Sequence, residues 1–254
     1  MNRIDITKYL ETLYPRHLAY DWDNVGLQVG SLNKPAKRVM TTLDVTKAVV
    51  QEAILSKADL VITHHPLIFQ PINSIPFDTP RGWAIAKLIK HDIALYAMHT
   101  NFDRAENGMN DQLAALLGLR NVGLLDEEVE IGRFGDIDPL PLEAFIAFVK
   151  DRLELSTLRL IGGANRTVTR VGISAGSGAQ HMHQAKRRGC DVYLTGDVTY
   201  HHALDCEQMG FAILDVGHHV EAWFKRFLSS TLKERFPELE ILVSTAATDP
   251  YALY

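Results

Sequence analysis

An apolar run, Leu60-Val61-Ile62-Thr63, is followed at once by two imidazoles and a proline, His64-His65-Pro66. The run reads as a strand, and a proline has no N–H for a ladder, so the strand stops where the histidines begin. Neighbouring side chains on an extended chain point to opposite faces. One metal ion would therefore not use both imidazoles, whereas two ions beside the strand end could take one each. A second apolar run, Ile93 to Met98, ends in His99, with Asp103 four residues further on. In the later part of the chain, Thr195-Gly196-Asp197 and Gly217-His218-His219-Val220-Glu221 stand at similar strand ends.

In open α/β sheets, functional groups collect at the carboxyl ends of parallel strands. The candidates there are His64, His65, His99, Asp103, Asp197, His218, His219 and Glu221. Imidazole and carboxylate without thiolate suit Zn, Fe, Mn, Ni or Co rather than Ca or Mg. Two carboxylates able to bridge suit a pair of ions ~3.5 to 4 Å apart. A lone strand-end histidine is more often a capping or surface residue than a ligand, and it is the recurrence that favours metal. His219 is set aside, because His218 occupies the site and a helix starts at Glu221. Tyr200, His201 and His202 line the cleft or cap a helix. His17, His91, His181 and His183 default to structural or solvated roles.

The apolar periodicities predict a helix over 6–13, a polar loop 21–30 turning into a short strand, a strand over 39–43, and a helix over 47–56 before Leu60. That is a βαβ unit, so its two strands are expected to be parallel with a right-handed crossover. Further helices are expected over 82–91, 110–117 and 142–153, strands over 93–98, 158–161, 171–173 and 211–216, and a helix from Glu221 to Leu232. The stretch from Gly123 to Pro141 is acidic and contains glycine, and is read as the link between two halves, 1–125 and 126–254. The turn Ser174-Ala175-Gly176-Ser177-Gly178 either holds a phosphate at the next helix or is a plain connection.

An internal repeat ties the halves together. At a constant offset of 132, Arg38-Val39 aligns with Arg170-Val171, Ala53 with Ala185, Asp59 with Asp191 and Thr63 with Thr195. His64-His65 then falls on Gly196-Asp197. The expected fold is α/β: two related halves with mainly parallel or mixed sheets, facing each other across a metal-binding cleft.

The chain has 254 residues, 46% hydrophobic and 22% charged, with a formal net charge of -5. Its densest basic cluster is Lys186-Arg187-Arg188, so the electrostatic footprint of a nucleic-acid binder is missing. No signal-like or membrane-spanning run occurs, and a cytoplasmic location is expected. Cys190 and Cys206 fit neither a disulfide framework nor a C-x-x-C motif and are read as bystanders.

Taken together, Asp23-Asn24-Val25-Gly26-Leu27-Gln28-Val29-Gly30, Leu43-Asp44-Val45-Thr46, Thr63-His64-His65-Pro66, His99-Thr100-Asn101-Phe102-Asp103, Gly132-Arg133-Phe134-Gly135, Thr195-Gly196-Asp197 and Gly217-His218-His219-Val220-Glu221 resemble, in this order, the GTP cyclohydrolase 1 type 2 homologue family, whose eukaryotic relatives are called NGG-one-interacting factor three. The resemblance implies two divalent metal ions per subunit held by His64, His65, Asp103, His218 and Glu221, with His99 as an extra ligand or outer support. It also implies a toroidal homohexamer of the compact bacterial form. The activity it suggests is metal-dependent hydrolysis of a small molecule, either ring opening of a nucleotide such as GTP or cleavage of a phosphoester. Asp197 would then accept a proton, and Tyr200, His201 or His202 would orient substrate. The alternative is a non-catalytic metal-handling or adaptor protein that stores, delivers or senses metal and binds a protein partner.

Overall fold

The computed structural model describes residues 1–163 and 166–252. The chain opens with α1 (Arg3–Leu13), β1 (Gly26–Val29), β2 (Arg38–Thr42), α2 (Lys47–Leu55), β3 (Leu60–Thr63), α3 (Pro80–Lys90), β4 (Ala94–Ala97) and α4 (Thr100–Arg104). It continues through α5 (Met109–Leu116), β5 (Arg120–Asp126), β6 (Ile131–Pro141), α6 (Leu142–Arg152), β7 (Arg159–Gly162) and β8 (Thr167–Ser177). Last come α7 (Met182–Arg187), β9 (Val192–Gly196), α8 (Tyr200–Gln208), β10 (Ala212–Asp215), a 3-10 turn (His218–Ala222), α9 (Trp223–Arg235) and β11 (Glu240–Val243).

The fold is mixed α/β with two sheets, ordered β1-β4-β3-β2-β11 and β5-β6-β8-β9-β10-β7. In the first, β11, β2, β3 and β4 run parallel and β1 is antiparallel to β4. In the second, β8, β9 and β10 are parallel, while β5, β6 and β7 join antiparallel. Every residue of β3, β4, β9 and β10 is buried, which is why these strands read as unbroken apolar runs rather than alternating ones. Helix starts are set locally. Thr46 and Thr79 accept from Val49 N and Gly82 N, and Pro80 occupies the first turn, where its missing N–H costs nothing.

Two compact units result: residues 1–105 with 222–254, and residues 106–221. This corrects the sequential halves 1–125 and 126–254. The chain returns to the first unit because β11 pairs in register with β2 and Thr41 Oγ1 donates to Lys225 O of α9 at 2.7 Å. The stretch read as a link is also redrawn. Residues 123–141 form most of the β5–β6 pair, and the acidic cluster sits at its turn, where Asp126 Oδ1 accepts from Glu128 N at 3.1 Å. The Ser174–Gly178 run is likewise mostly strand rather than a turn, since β8 continues through Ser177 with a register shift.

Each unit contains the same βαβαβ core, and the repeat is visible in hydrogen bonds. Asp59 Oδ2 accepts from Lys37 N (2.7 Å) and Arg38 N (2.9 Å); Asp191 Oδ2 accepts from Thr169 N (2.7 Å) and Arg170 N (2.9 Å). Helix ends match too, with Ala58 N donating to Ala53 O and Cys190 N to Ala185 O. The next strand is registered by Met98 N to Thr63 O in one unit and Val216 N to Thr195 O in the other, both 2.9 Å.

From there the offset is 118 rather than 132, because the connection after Thr63 is longer than the one after Thr195. With Met98 on Val216, Asp103 falls on Glu221. The turn preceding each carboxylate is also matched, by Phe102 N to His99 O and Val220 N to Gly217 O.

Candidate metal centre

β3 ends at Thr63, and its hydroxyl donates to Leu43 O at 2.8 Å, tying the strand end to the loop after β2. His64 and His65 lie in the bend beyond it. They do not diverge to opposite faces as on an extended chain; their ring centroids are 5.2 Å apart with 42° between planes. His99 joins them from the end of β4, its centroid 5.2 Å from that of His64 and 5.6 Å from that of His65. One nitrogen from each of the three lies within 4.8 Å of the others.

Each ring is fixed through Nδ1. His64 Nδ1 meets Met98 O at 2.8 Å, His65 Nδ1 meets Asp44 Oδ1 at 2.7 Å and His99 Nδ1 meets Asp23 Oδ1 at 2.9 Å. A carbonyl oxygen only accepts, so His64 carries a proton on Nδ1, and the neutral ring would present a lone pair at Nε2. This is how metal-ligating histidines are oriented, by a carbonyl or carboxylate behind the ring. His64 is fully buried, packed on Phe224 at 5.0 Å, and its Nε2 faces Asp103 Oδ1 at 3.4 Å. A cation, whether a metal ion or a proton on the ring, would satisfy both atoms at that distance.

Asp23 is a working part of this frame. Besides His99 it accepts from Thr100 N at 3.0 Å and Thr100 Oγ1 at 2.5 Å. Burial alone would raise its carboxyl, but the bond and charge of His99, with the Thr100 donors, outweigh this and hold it below the usual carboxylate range.

In the second unit, His218 lies between two carboxylates, with Nε2 3.0 Å from Glu221 Oε2 and Nδ1 2.7 Å from Asp197 Oδ2. The Glu221 bond is the main reason that its pKa is pushed up to about 9. Burial opposes the rise, and the charge of Glu221 and the bond to Asp197 add to it. Asp197 adopts a left-handed backbone (φ 52°), and here its carboxylate orients His218. At Gly196, the counterpart of His64, an added Cβ would lie 2.7 Å from both Gly217 C and His218 N. A side chain cannot stand there, so the imidazole of this unit comes from position 218.

Tyr200, His201 and His202 form the first turn of α8. The contacts that place them are local: Thr199 Oγ1 accepts from His202 N, and the Tyr200 ring meets His201 edge-on. Cys190 and Cys206 are buried, and desolvation drives their thiols up to about 12 and about 11, which keeps them inert. The orienting carboxylates Asp23 and Asp44 are absent from the residues singled out by type. Their signal was position, in the runs Asp23-Asn24 and Leu43-Asp44 beside the strand ends.

No helix among the described residues is long and apolar enough to cross a membrane. The model of the Duf34/NIF3 (NGG1p interacting factor 3) family matches residues 1–250. A Clostridium perfringens protein named GTP cyclohydrolase 1 type 2 homolog is 38% identical over 256 residues, covering 97% of each chain. A Bacillus cereus protein described as related to NIF3 superposes with a TM-score of 0.94 at 30% identity, over 100% of this chain and 99% of that one. Reduced HcgD from Methanocaldococcus jannaschii gives 0.86 at 28% identity, over 97% and 98%.

Proposed function

The chain belongs to the Duf34/NIF3 family, and from that premise we propose that it is a dinuclear metal-dependent hydrolase acting on a nucleotide such as GTP, or on a phosphoester. The observation that carries the reading is the His64, His65 and His99 group, whose donor atoms gather within 4.8 Å while each ring is braced through Nδ1. The proposed ligands are His64, His65, Asp103, His218 and Glu221, with His99 as an extra ligand or support. The repeat supports the carboxylate pair, since Asp103 and Glu221 are counterparts after matched strand ends. Divalent ions of the N/O-binding class, held there, would supply Lewis acidity toward a water and the atom under attack.

The chain's own residues would divide the remaining work. Asp44 and Asp23 keep His65 and His99 in one orientation, and Asp197 does the same for His218 and is the nearest base to take up a proton from it. Tyr200, with 74% of its surface exposed, is offered to substrate from the start of α8. Assembly as a homohexamer is part of the proposal and rests on the family likeness.

The test is turnover. Protein reconstituted with Zn, Mn, Fe, Ni or Co in turn is incubated with a panel of nucleotides and phosphoesters beside a Glu221→Ala control, with bound metal measured by elemental analysis. About two equivalents of metal and wild-type turnover above the control are expected. Metal well below one equivalent, or turnover no faster than the control, would sink the hydrolase reading, and tight metal without turnover would leave a metal-handling role.

A further inference from the structure

Trp22 is exposed over 58% of its surface, and its neighbours fix its place. Tyr20 stacks beneath it at 5.4 Å and 27°, and the Arg104 guanidinium covers the Tyr20 ring at 4.7 Å. The backbone on both sides of Trp22 is pinned to α4: Tyr20 N donates to Thr100 Oγ1 at 3.1 Å, and Asp23, with its side chain wholly buried, holds His99 and Thr100. The ring centroid of Trp22 thus stands 6.2 Å from that of His99, at 71°.

A second aromatic is pinned beside it. Asn24 Nδ2 donates to Ile68 O at 2.5 Å and Ile68 N donates to Gln28 Oε1 at 3.0 Å, so one side chain just before β1 and one within it grip both backbone groups of the residue before Phe69. Phe69 lies 5.7 Å from Trp22, tilted by 56°, and 6.3 Å from His99. It belongs to the connection after Thr63, which is longer than the one after Thr195.

An exposed indole braced from behind by a ring and a guanidinium, walled by a second ring and set against an imidazole, has the build of a stacking platform. We propose that Trp22, backed by Tyr20 and flanked by Phe69, binds the face of a planar heteroaromatic ring and positions a base-bearing substrate against His99. The ring is of the nucleobase class. Its binding needs only the platform, and only its placement for reaction rests on the hydrolase reading. Every base has a π-face, so the platform accepts purines and pyrimidines and favours purines for their larger area.

The test uses the full chain, metal-loaded and metal-stripped, titrated with guanosine 5′-monophosphate, cytidine 5′-monophosphate and ribose 5-phosphate by calorimetry. Tryptophan fluorescence and sedimentation are followed alongside. Both nucleotides are expected to bind, the purine more tightly, with or without metal and in Glu221→Ala, and ribose 5-phosphate is expected not to. Trp22→Ala should weaken nucleotide binding by roughly 5- to 150-fold and Phe69→Ala by less, while Trp22→Phe stays within about threefold of wild type. Circular dichroism confirms that the variants are folded, and Trp22→Phe keeps the test decisive if Trp22→Ala is not.

Equal binding by ribose 5-phosphate, unchanged affinity in Trp22→Ala, or a loss as large in Trp22→Phe as in Trp22→Ala would overturn the proposal. So would a change in oligomeric state in Trp22→Ala without loss of nucleotide binding, which would make a second copy the occupant. If no substrate turns over but base binding still depends on Trp22, the hydrolase reading falls and the platform stands. If turnover is found with kcat and KM unchanged in Trp22→Ala, the platform falls and the hydrolase stands.

Discussion

Gly176 and Glu221 fix one another: Gly176 has a left-handed backbone (φ +62°), and a Cβ on it would fall inside the van der Waals envelope of Glu221 Oε1. The glycine is required twice, for its dihedral and for the room it leaves the carboxylate. Gly176→Ala is expected to destabilise the fold by about 1–3 kcal/mol through backbone strain. It should also displace Glu221 and lower metal affinity by roughly 10- to 100-fold, as for other disturbed supports of a metal ligand. Thermal melts and chelator-competition titrations check the two effects separately. A variant that melts lower but holds metal as tightly as wild type would show that Glu221 is not a ligand.

His218 makes metal uptake pH-dependent. Its pKa is pushed up to about 9 in the metal-free protein, so near neutrality it carries a proton that a metal must displace. Apparent affinity should fall by about tenfold for each pH unit below 9 as far as His218 alone governs it. Calorimetry at pH 7 in buffers of different ionisation enthalpy should register proton release, and His218→Gln should release less. The sign for stability is the reverse. The charged His218–Glu221 pair stabilises the metal-free fold fully below the ordinary histidine value of 6.5 and is lost as pH rises through about 9. The metal-free melting temperature should therefore drop over that window, and the drop should be smaller in His218→Gln.

The residues that could be read from sequence are those whose burial is complete. β3, β4, β9 and β10 are buried throughout, so continuous apolar runs announced them, and the donors just past their ends could be picked out by type. β5 and β6 were hidden. Glycine and acidic residues in 123–141 look like linker, yet Gly123 faces the Phe134 ring so closely that a Cβ would sit 2.8 Å from it, and the acidic residues gather at the turn. β11 was missed because what identifies it is its partner β2, some two hundred residues earlier, and local pattern carries no such information. The convergence of His64 and His65 was also beyond reach, since it depends on a bend after Thr63 that is set by the hydroxyl's bond to Leu43 O.

Asp44 and Asp23 offer a test of the site that leaves every proposed ligand in place. Asp44→Asn and Asp23→Asn keep the shape of each side chain but weaken the hold on His65 and His99. Each is expected to lower metal affinity by roughly 10- to 100-fold. Asp23→Asn should also cost stability, because the Asp23 carboxylate is held ionised and buried among the His99 and Thr100 donors. Metal content after dialysis, compared with far-ultraviolet circular dichroism, separates loss of the site from loss of the fold.

The repeat predicts matched energetics. Asp59 and Asp191 each accept two backbone N–H groups of the strand before, at the same pair of distances, 2.7 and 2.9 Å. Asp191 additionally accepts from Thr169 Oγ1 at 2.8 Å. Asp59→Ala and Asp191→Ala should each destabilise by about 1–3 kcal/mol, the second by somewhat more, with neither changing metal affinity directly. Urea unfolding of the two variants checks the ranking, and a loss confined to one of them would mean that the shared hydrogen bonds do not carry shared weight.

Glu52 on α2 anchors the segment that follows β11. Its carboxylate accepts from Ser244 Oγ (2.5 Å), Thr245 N (2.8 Å), Thr245 Oγ1 (2.8 Å) and Ala246 N (3.3 Å). Burial alone would raise its pKa, but these donors outweigh it and hold the group below its usual 4.5. A carboxyl lowered on folding contributes stability above its unfolded value, and that contribution is lost as pH falls through the lower folded value. Glu52→Gln points an amide N–H₂ at donors that need an acceptor. It should cost about 1–3 kcal/mol at pH 7 and loosen the end of the chain beyond β11. The difference between wild type and variant in urea midpoint should shrink as the pH is taken below 4.5, and hydrogen exchange should show faster opening of β11 in the variant. A midpoint difference that stays constant down to acid pH would show that the ionised carboxylate is not what holds this strand.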